Sequence, residues 1–269
     1  MVVKIIELKD VSFGYSKKQI FEKFNLAIEK GEFVTLAGSN GSGKSTLLKL
    51  IAGFYEFKGT ICVDRIPLTV ESKADIRKNL GMIFDQPDLN FVTETVEDEI
   101  VFPMENLQYS KEKMEERLNE VLSIFELEEL KECSVHQLSG GQKQLVAFAS
   151  AYAYEPSVLL LDEAFSMVDL ITKQKLFRIL KKLKRRGTTI LQVTNDLEES
   201  FFSDRIILFR NGCIVKDGTK LEVFSDEKTL AKVGLEAPFS ASLSTKLIYY
   251  NLLEEPVLEL DRMVEQLWK

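Results

Sequence analysis

The chain has 269 residues, 45% of them hydrophobic and 29% charged. That balance excludes disordered and fibrous classes and supplies enough apolar surface for a large core without covalent staples. Its 35 basic and 42 acidic residues leave a formal charge of −7, which argues against a nucleic-acid coat and against a globally polybasic membrane patch.

The first ten residues carry charges and no long apolar stretch, so no signal peptide is read there. Nowhere does an uncharged apolar run reach the roughly 20 residues of a membrane span. A soluble, cytoplasmic protein is expected. Residues 2–35 read as strands: Phe24, Leu26 and Ile28 alternate, and Gly31-Glu32 marks a turn before the apolar stretch Phe33–Ala37. A glycine-rich loop follows at 38–43, then a helix from Lys44 to about Ala52, and a strand over 59–64. The stretch 65–155 carries little strand signal and several helix candidates, so a mostly helical insertion is expected. Within it, 111–127 places Met114, Leu118, Val121, Leu122 and Phe125 on one helical face, and 141–154 reads as a helix stopped by Pro156. Cys62, Cys133 and Cys213 are far apart and odd in number, with no disulfide or metal spacing, and read as small buried hydrophobes.

Val158-Leu159-Leu160-Leu161 is apolar without a break up to Asp162, as in a central parallel strand buried on both faces. A charged helix over about 170–186 and a strand Thr188–Val193 come next. Ile206–Arg210 and Cys213–Lys216 form a hairpin around Asn211-Gly212. This alternation means an α/β sheet with crossovers. After about residue 222 the pattern changes. Residues 240–253 and 257–268 read as two short helices broken at Pro256, the second with Leu260, Met263, Val264 and Leu267 on one face. A tail with so little core of its own is expected to pack on something.

Gly38-Ser39-Asn40-Gly41-Ser42-Gly43-Lys44-Ser45 fits G-x-x-x-x-G-K-[ST] at every position, with an apolar strand before it and a helix after it. Such glycines let backbone N–H groups converge on phosphate oxygens, and the helix N-terminus adds its positive end. Lys44 is expected to reach the β- and γ-phosphates and Ser45 to ligate Mg²⁺, with Thr46 next to it in the nucleotide site. Asp162-Glu163 closes the buried strand, where a carboxylate points into the ligand crevice of an open α/β sheet. Asp162 suits the Mg²⁺ shell, and Glu163 is the candidate general base toward the attacking water.

Leu138-Ser139-Gly140-Gly141-Gln142, together with GSNGSGKS and LLLDEAFSMVD, makes residues 4 to about 222 resemble an ATP-binding-cassette (ABC) ATPase. The resemblance implies an α/β P-loop NTPase nucleotide-binding domain over 1–222, with an antiparallel β subdomain and a helical subdomain within about 85–155. A C-terminal helical tail at 223–269 would serve dimerisation. It also implies a head-to-tail dimer with two ATP molecules between subunits, in which Ser139, Gly140, Gly141 and Gln142 close on the nucleotide held by the opposite chain. By the same resemblance Tyr15 stacks on adenine, and Asp169, in Ser166-Met167-Val168-Asp169, stands in the loop that crosses the dimer interface.

Within the family the chain looks like the ATPase subunits of energy-coupling factor transporters, which import vitamins and transition-metal ions. Phe84-Asp85-Gln86-Pro87-Asp88 resembles their FQNPD segment, Thr95–Phe102 their TVEDEIAF, and Leu235-Glu236-Ala237-Pro238 stands near the start of the tail. The likeness implies an ATPase coupled to transport, using ATP and Mg²⁺, peripheral on the cytoplasmic face of the membrane. A membrane subunit would dock near residues 85–107, where Phe84, Phe91, Val101, Phe102 and Met104 are candidate lining. Glu97, Asp98 and Glu99 are candidates to meet its basic residues.

Two positions depart from the family pattern. Asp85 stands where glutamine is usual; it can ligate a metal, but it adds negative charge beside Glu163 and cannot donate when ionised. Asn195 stands where a histidine contacts the γ-phosphate. Losing a well-placed transition-state donor costs on the order of 10²–10³ in rate. His136, the sole histidine, lies beside LSGGQ and reads as a local packing or surface residue. Pro103 replaces a glycine of the family pattern, so the groove's backbone is expected to differ. A weakened Walker cluster beside a complete LSGGQ fits a heterodimer with an unaltered sister ATPase. The alternatives are a largely regulatory ATP-binding subunit, a soluble non-transport ABC ATPase and a P-loop kinase. One phosphate loop, no sustained heptads and LSGGQ argue against the last two.

Overall fold

Alternating apolar residues build the first sheet. In the computed structural model, which describes residues 3–16, 18–86, 91–166 and 168–268, β1 (Lys4–Tyr15) turns Ile6, Leu8 and Val11 inward. Pro87 and Asp88 of the FQNPD-like segment and Met167 of the interface loop lie outside the described residues, as do residues 89 and 90 of the expected groove. The described chain forms two compact units, Met1–Phe33 with Ser45–Gln192, and Val34–Lys44 with Val193–Lys269.

In the first unit β1 pairs antiparallel with β2 (Lys18–Glu29), setting Ile6 opposite Ile28 and Leu8 opposite Leu26. β3 (Phe33–Ala37) and α1 (Lys44–Ile51) come next in the chain, each running across the division between units. β4 (Lys58–Val63) pairs with the other edge of β1, and β5 (Ile66–Pro67) closes an antiparallel sheet of order β2-β1-β4-β5. The short helix α2 (Lys73–Arg77) leads to β6 (Leu80–Ile83), a strand inside the stretch expected to be mostly helical. It pairs in parallel with β7 (Val158–Asp162), Gly81 opposite Leu159 and Ile83 opposite Leu161. A side chain at Gly81 would meet Ala151 O at 2.5 Å, so only glycine lets the strand lie this close.

Three helices carry the insertion: α3 (Val96–Asn106), α4 (Lys111–Phe125) and α5 (Gly140–Tyr152). The expected apolar face of α4 is buried at Leu118, Val121, Leu122 and Phe125, and Met114 is half-buried against the same core. α6 (Leu170–Arg185) adds Phe177, whose ring stacks on Phe165 at 4.4 Å. β8 (Thr189–Thr194) is buried along its whole length; it begins in the first unit, where Ile190 N donates to Glu32 O.

In the second unit β9 (Arg205–Arg210) runs parallel to β3, and β10 (Cys213–Gly218) returns antiparallel to β9. The turn between them has φ of 49° at Asn211 and 75° at Gly212, the double left-handed geometry that Asn-Gly favours. α7 (Lys220–Phe224) and α8 (Glu227–Val233) bury Val223, Phe224, Leu230 and Val233 against Ile206 and Leu208 of β9. The expected tail helices are α9 (Phe239–Tyr249) and α10 (Leu260–Leu267). Of the apolar face expected on α10, Met263 alone is buried, with Leu253 and Val257; Leu260, Val264 and Leu267 face solvent. Of the three cysteines, Cys213 is exposed and Cys62 and Cys133 are half-buried, so none is the fully buried hydrophobe expected.

Candidate nucleotide site

The phosphate loop leaves β3 where that strand meets β9. A Cβ on Gly38 would lie 2.2 Å from Phe209 O, so this glycine is required by close backbone approach. Gly41 and Gly43 have φ of 75° and 108°, left-handed values that turn the loop back toward α1. Lys44 is 3% exposed, and its Nζ donates to Gly38 O (2.7 Å) and Ser39 O (3.1 Å). The ammonium therefore sits inside the loop it closes. Gly212 N donates to Ser42 O, tying the loop to the β9–β10 turn. Ser42 Oγ is buried and has no hydrogen-bond partner among the described residues. A loop with a buried cation and an unsatisfied hydroxyl fits a polyanionic occupant.

Asn195 comes directly after β8 and is exposed. Its Nδ2 donates to Asn40 Oδ1 at 3.0 Å, and Thr194 O accepts from Gly38 N. The end of β8 is thus tied to the phosphate loop at two points. Beyond it, Asp196 accepts from Glu198 N, and the Glu198 carboxylate accepts from Phe239 N at the start of α9 (2.9 Å). That link from the strand end to the tail has no signal in the sequence.

In the first unit, Tyr15 ends β1, 42% exposed, and its hydroxyl shares a hydrogen bond with Thr46 Oγ1 (3.3 Å). Ser45 and Thr46 are half-buried in the first turn of α1. Asp162 closes the fully buried β7 and is itself 8% exposed. Glu163 has φ of 50°. This left-handed value turns the chain sharply directly after β7. Asp85 is half-buried just beyond β6; the neighbouring Phe84 O accepts from the buried Gln144 Nε2 (3.2 Å), a tie from α5 that the sequence does not announce. Among the described residues no three His, Cys, Asp or Glu side chains form an all-protein metal cage. Mg²⁺ rarely has one, being held by one or two carboxylates with substrate phosphates and water.

Ser139 is the N-cap of α5. Its hydroxyl accepts from Gln142 N (3.3 Å), and Gln142 Oε1 accepts from Ser139 N (2.9 Å). The Gln142 side chain is therefore folded onto its own helix start, while Ser139 and Gly140 are exposed. Gly141 is buried: a Cβ there would lie 2.8 Å from Thr172 Oγ1 and 2.9 Å from Asp169 Oδ2. Asp169 caps α6, accepting from Ile171 N, Thr172 N and Thr172 Oγ1. These donors hold its carboxyl below the usual range. The signature helix and the Asp169 turn thus pack directly on one another. His136 is exposed, 3.7 Å from Glu94, a surface residue as expected.

A cavity of about 220 Å³ lies where the docking groove is expected, with Phe84, Phe91, Phe102, Glu99 and Tyr154 among its walls. Met104 is instead in the core, and Val101 packs against that core. Glu99 is buried as well. Its Oε2 accepts from Val92 N, Thr93 N and Thr93 Oγ1, so it clamps the groove wall and does not offer its charge to a partner.

Residues 21–166 match the family described as ABC transporter. The energy-coupling factor transporter ATP-binding protein EcfA1 of Leuconostoc mesenteroides is 39% identical over 259 residues, covering 95% of this chain and 93% of that protein. The EcfA1 of Lactococcus lactis is 38% identical over 98% of each chain. Among solved structures, cbiO1 of Clostridium perfringens, part of the ABC transporter complex cbiONQ, has a TM-score of 0.78 at 27% identity, covering 86% of this chain and 94% of that one. The dimeric ABC cassette MJ0796, bound to ADP and Pi, has a TM-score of 0.71 at 31% identity, covering 80% of this chain and 98% of its own. The chain belongs to the ABC transporter family, among the energy-coupling factor ATP-binding proteins. It is a transport-coupled ATPase of mixed α/β fold, and among the described residues no helix is long and apolar enough to cross a membrane.

Proposed function

We propose that this chain energises an importer of vitamins or transition-metal ions from the cytoplasmic face of the membrane, in a heterodimer with a sister ATPase. In this reading Lys44 and the amides of residues 38–44 hold the triphosphate, and Tyr15 meets the adenine. Ser45, Asp162 and Asp85 offer the hard oxygen donors that Mg²⁺ takes. Mg²⁺ bound there would neutralise charge on the β- and γ-phosphate oxygens. Glu163 accepts the proton of the attacking water. Ser139 and Gly140 face the partner's nucleotide, Gly141 contributes through its backbone at the helix start, and Gln142 acts through the cap it makes. Asp169 holds the adjoining turn at the dimer interface.

The observation that carries the heterodimer is the amide of Asn195 on Asn40, beside a phosphate loop complete in every residue. Asn195 is neutral at every pH and shorter than the family's histidine, so this chain's own site binds ATP and hydrolyses it slowly. Its signature helix serves the sister's site. The groove walled by Phe84, Phe91 and Phe102 supports docking of a membrane subunit. Exposed Tyr249, Leu260, Val264 and Trp268 support 223–269 as a contact-forming tail after a nucleotide-binding domain over 1–222.

The test is asymmetry in the assembled, detergent-solubilised transporter. Glu163→Gln here should lower ATPase turnover only slightly, while the equivalent change in the sister should lower it on the order of 10²-fold or more. Comparable losses from the two substitutions would defeat the heterodimer reading.

A further inference from the structure

We propose that Tyr55 is a positioning residue for nucleotide-base recognition, its ring holding Tyr15 in the orientation that meets the base. This rests on the reading of Tyr15 as the residue that stacks on adenine.

Three rings from two separate stretches meet here. Phe13 and Tyr15 lie on β1, and Tyr55 lies four residues beyond α1. Phe13 and Tyr55 stack on each other, with centroids 5.2 Å apart and planes at 26°. Tyr15 stands perpendicular to both, 5.0 Å from Phe13 at 85° and 5.5 Å from Tyr55 at 88°. Edge-to-face contact of this kind is the arrangement the ring quadrupole favours. Perpendicular contacts from one side hold the plane of the Tyr15 ring, while the ring stays 42% exposed for a ligand.

The far end of Tyr15 is fixed as well, through its hydroxyl on Thr46 Oγ1. That hydroxyl also lies beside the Tyr55 phenol and holds it above its ordinary pKa. Tyr15 ends its strand, and Ser16 after it has φ of 49°, so the backbone turns away there. A large side chain at a strand end, 42% exposed, samples several rotamers unless neighbours hold it. Fixing the ring before binding removes that entropy from the cost of binding. Tyr55 has no motif around it and lies 40 residues beyond Tyr15, so the sequence offers no signal for the role.

The experiment measures binding of Mg-ATP and of inorganic triphosphate to the full chain, by calorimetry, for Tyr55→Leu, Tyr55→Phe, Tyr15→Ala and the Tyr15→Ala/Tyr55→Leu pair. We expect Tyr55→Leu to weaken Mg-ATP roughly two- to tenfold, the size of an aromatic pair, and to leave triphosphate binding unchanged. Tyr55→Phe keeps the ring and loses only the phenol's contact with the Tyr15 hydroxyl, so it should weaken Mg-ATP clearly less than Tyr55→Leu. Once Tyr15 is alanine, removing the Tyr55 ring should add nothing. Equal losses for ATP and triphosphate would mean a general structural role and overturn the proposal, as would a Tyr55→Phe loss as large as that of Tyr55→Leu. If Tyr15→Ala weakens ATP and Tyr55→Leu does not, the proposal fails and the base reading of Tyr15 survives. If Tyr15→Ala leaves ATP binding unchanged, both fail. Should Tyr55→Leu not fold, Tyr55→Met in the same cycle serves as the ring deletion.

Discussion

At the scale of the residue, the proposed division of labour turns on Asn195. Its amide donates to Asn40 and so remains anchored to the phosphate loop. An amide offers a neutral donor, whereas an imidazole at that position is longer and can carry charge toward the γ-phosphate. Asn195→His should therefore raise the turnover of this chain's own site, roughly tenfold to a hundredfold, with ATP affinity little changed. Single-turnover hydrolysis by the variant checks this. A variant no faster than the parent would move the defect to Asp85. Glu163 carries a second lesson. Its left-handed backbone is costly for a glutamate and comes straight after the five buried residues of β7, so local strain is held in place by a core strand.

At the scale of elements, α3 is instructive because it contains Pro103 in its interior and still runs to Asn106. Proline has no N–H, so the carbonyl four residues earlier, Glu99 O, loses its helical donor. Ser150 Oγ on α5 supplies the missing bond at 2.9 Å. The expectation that Pro103 alters the groove's backbone thus meets a specific compensation. Ser150→Ala should cost about 1–3 kcal/mol through the unsatisfied carbonyl. In a Pro103→Ala background, where the donor returns, the same change should cost much less. Denaturant melts of the four proteins test this, and equal costs in both backgrounds would contradict it.

The elements also show what the sequence could reveal. The phosphate loop, β7 with its carboxylates, the Asn-Gly hairpin and the amphipathic face of α4 are contiguous signals, and the structure has each of them where its residues point. β6 was not legible. Leu80–Ile83 is four residues long, flanked by helices, and buried against β7 without alternation, so nothing local separates it from a helix turn. The clamp of Glu99 on residues 92–93, the tie from Gln144 to Phe84 and the ring of Tyr55 beside Tyr15 are similarly silent. Each joins positions whose proximity only the tertiary fold creates. The apolar face of α10 was legible as a pattern, but its periodicity says nothing about what covers it, and only Met263 is buried.

On the scale of the whole molecule, the chain combines a complete phosphate loop, a capped and tightly packed signature helix, and an asparagine, Asn195, bonded to that loop. In the proposed reading the first two serve ATP capture and a partner's site, and the third slows the chemistry here. The Glu198 contact with the start of α9 gives the tail a direct connection to the segment after Asn195, so tail contacts and the strand end share one stretch of structure. The most direct measurement is Mg-ATP turnover by the purified chain across a range of protein concentrations, with ATP binding followed in parallel. Clear binding with negligible turnover at every concentration, and turnover restored on adding the sister ATPase, is the predicted result. Turnover by the chain alone that rises more than linearly with its concentration would reveal a working homodimer and contradict the account.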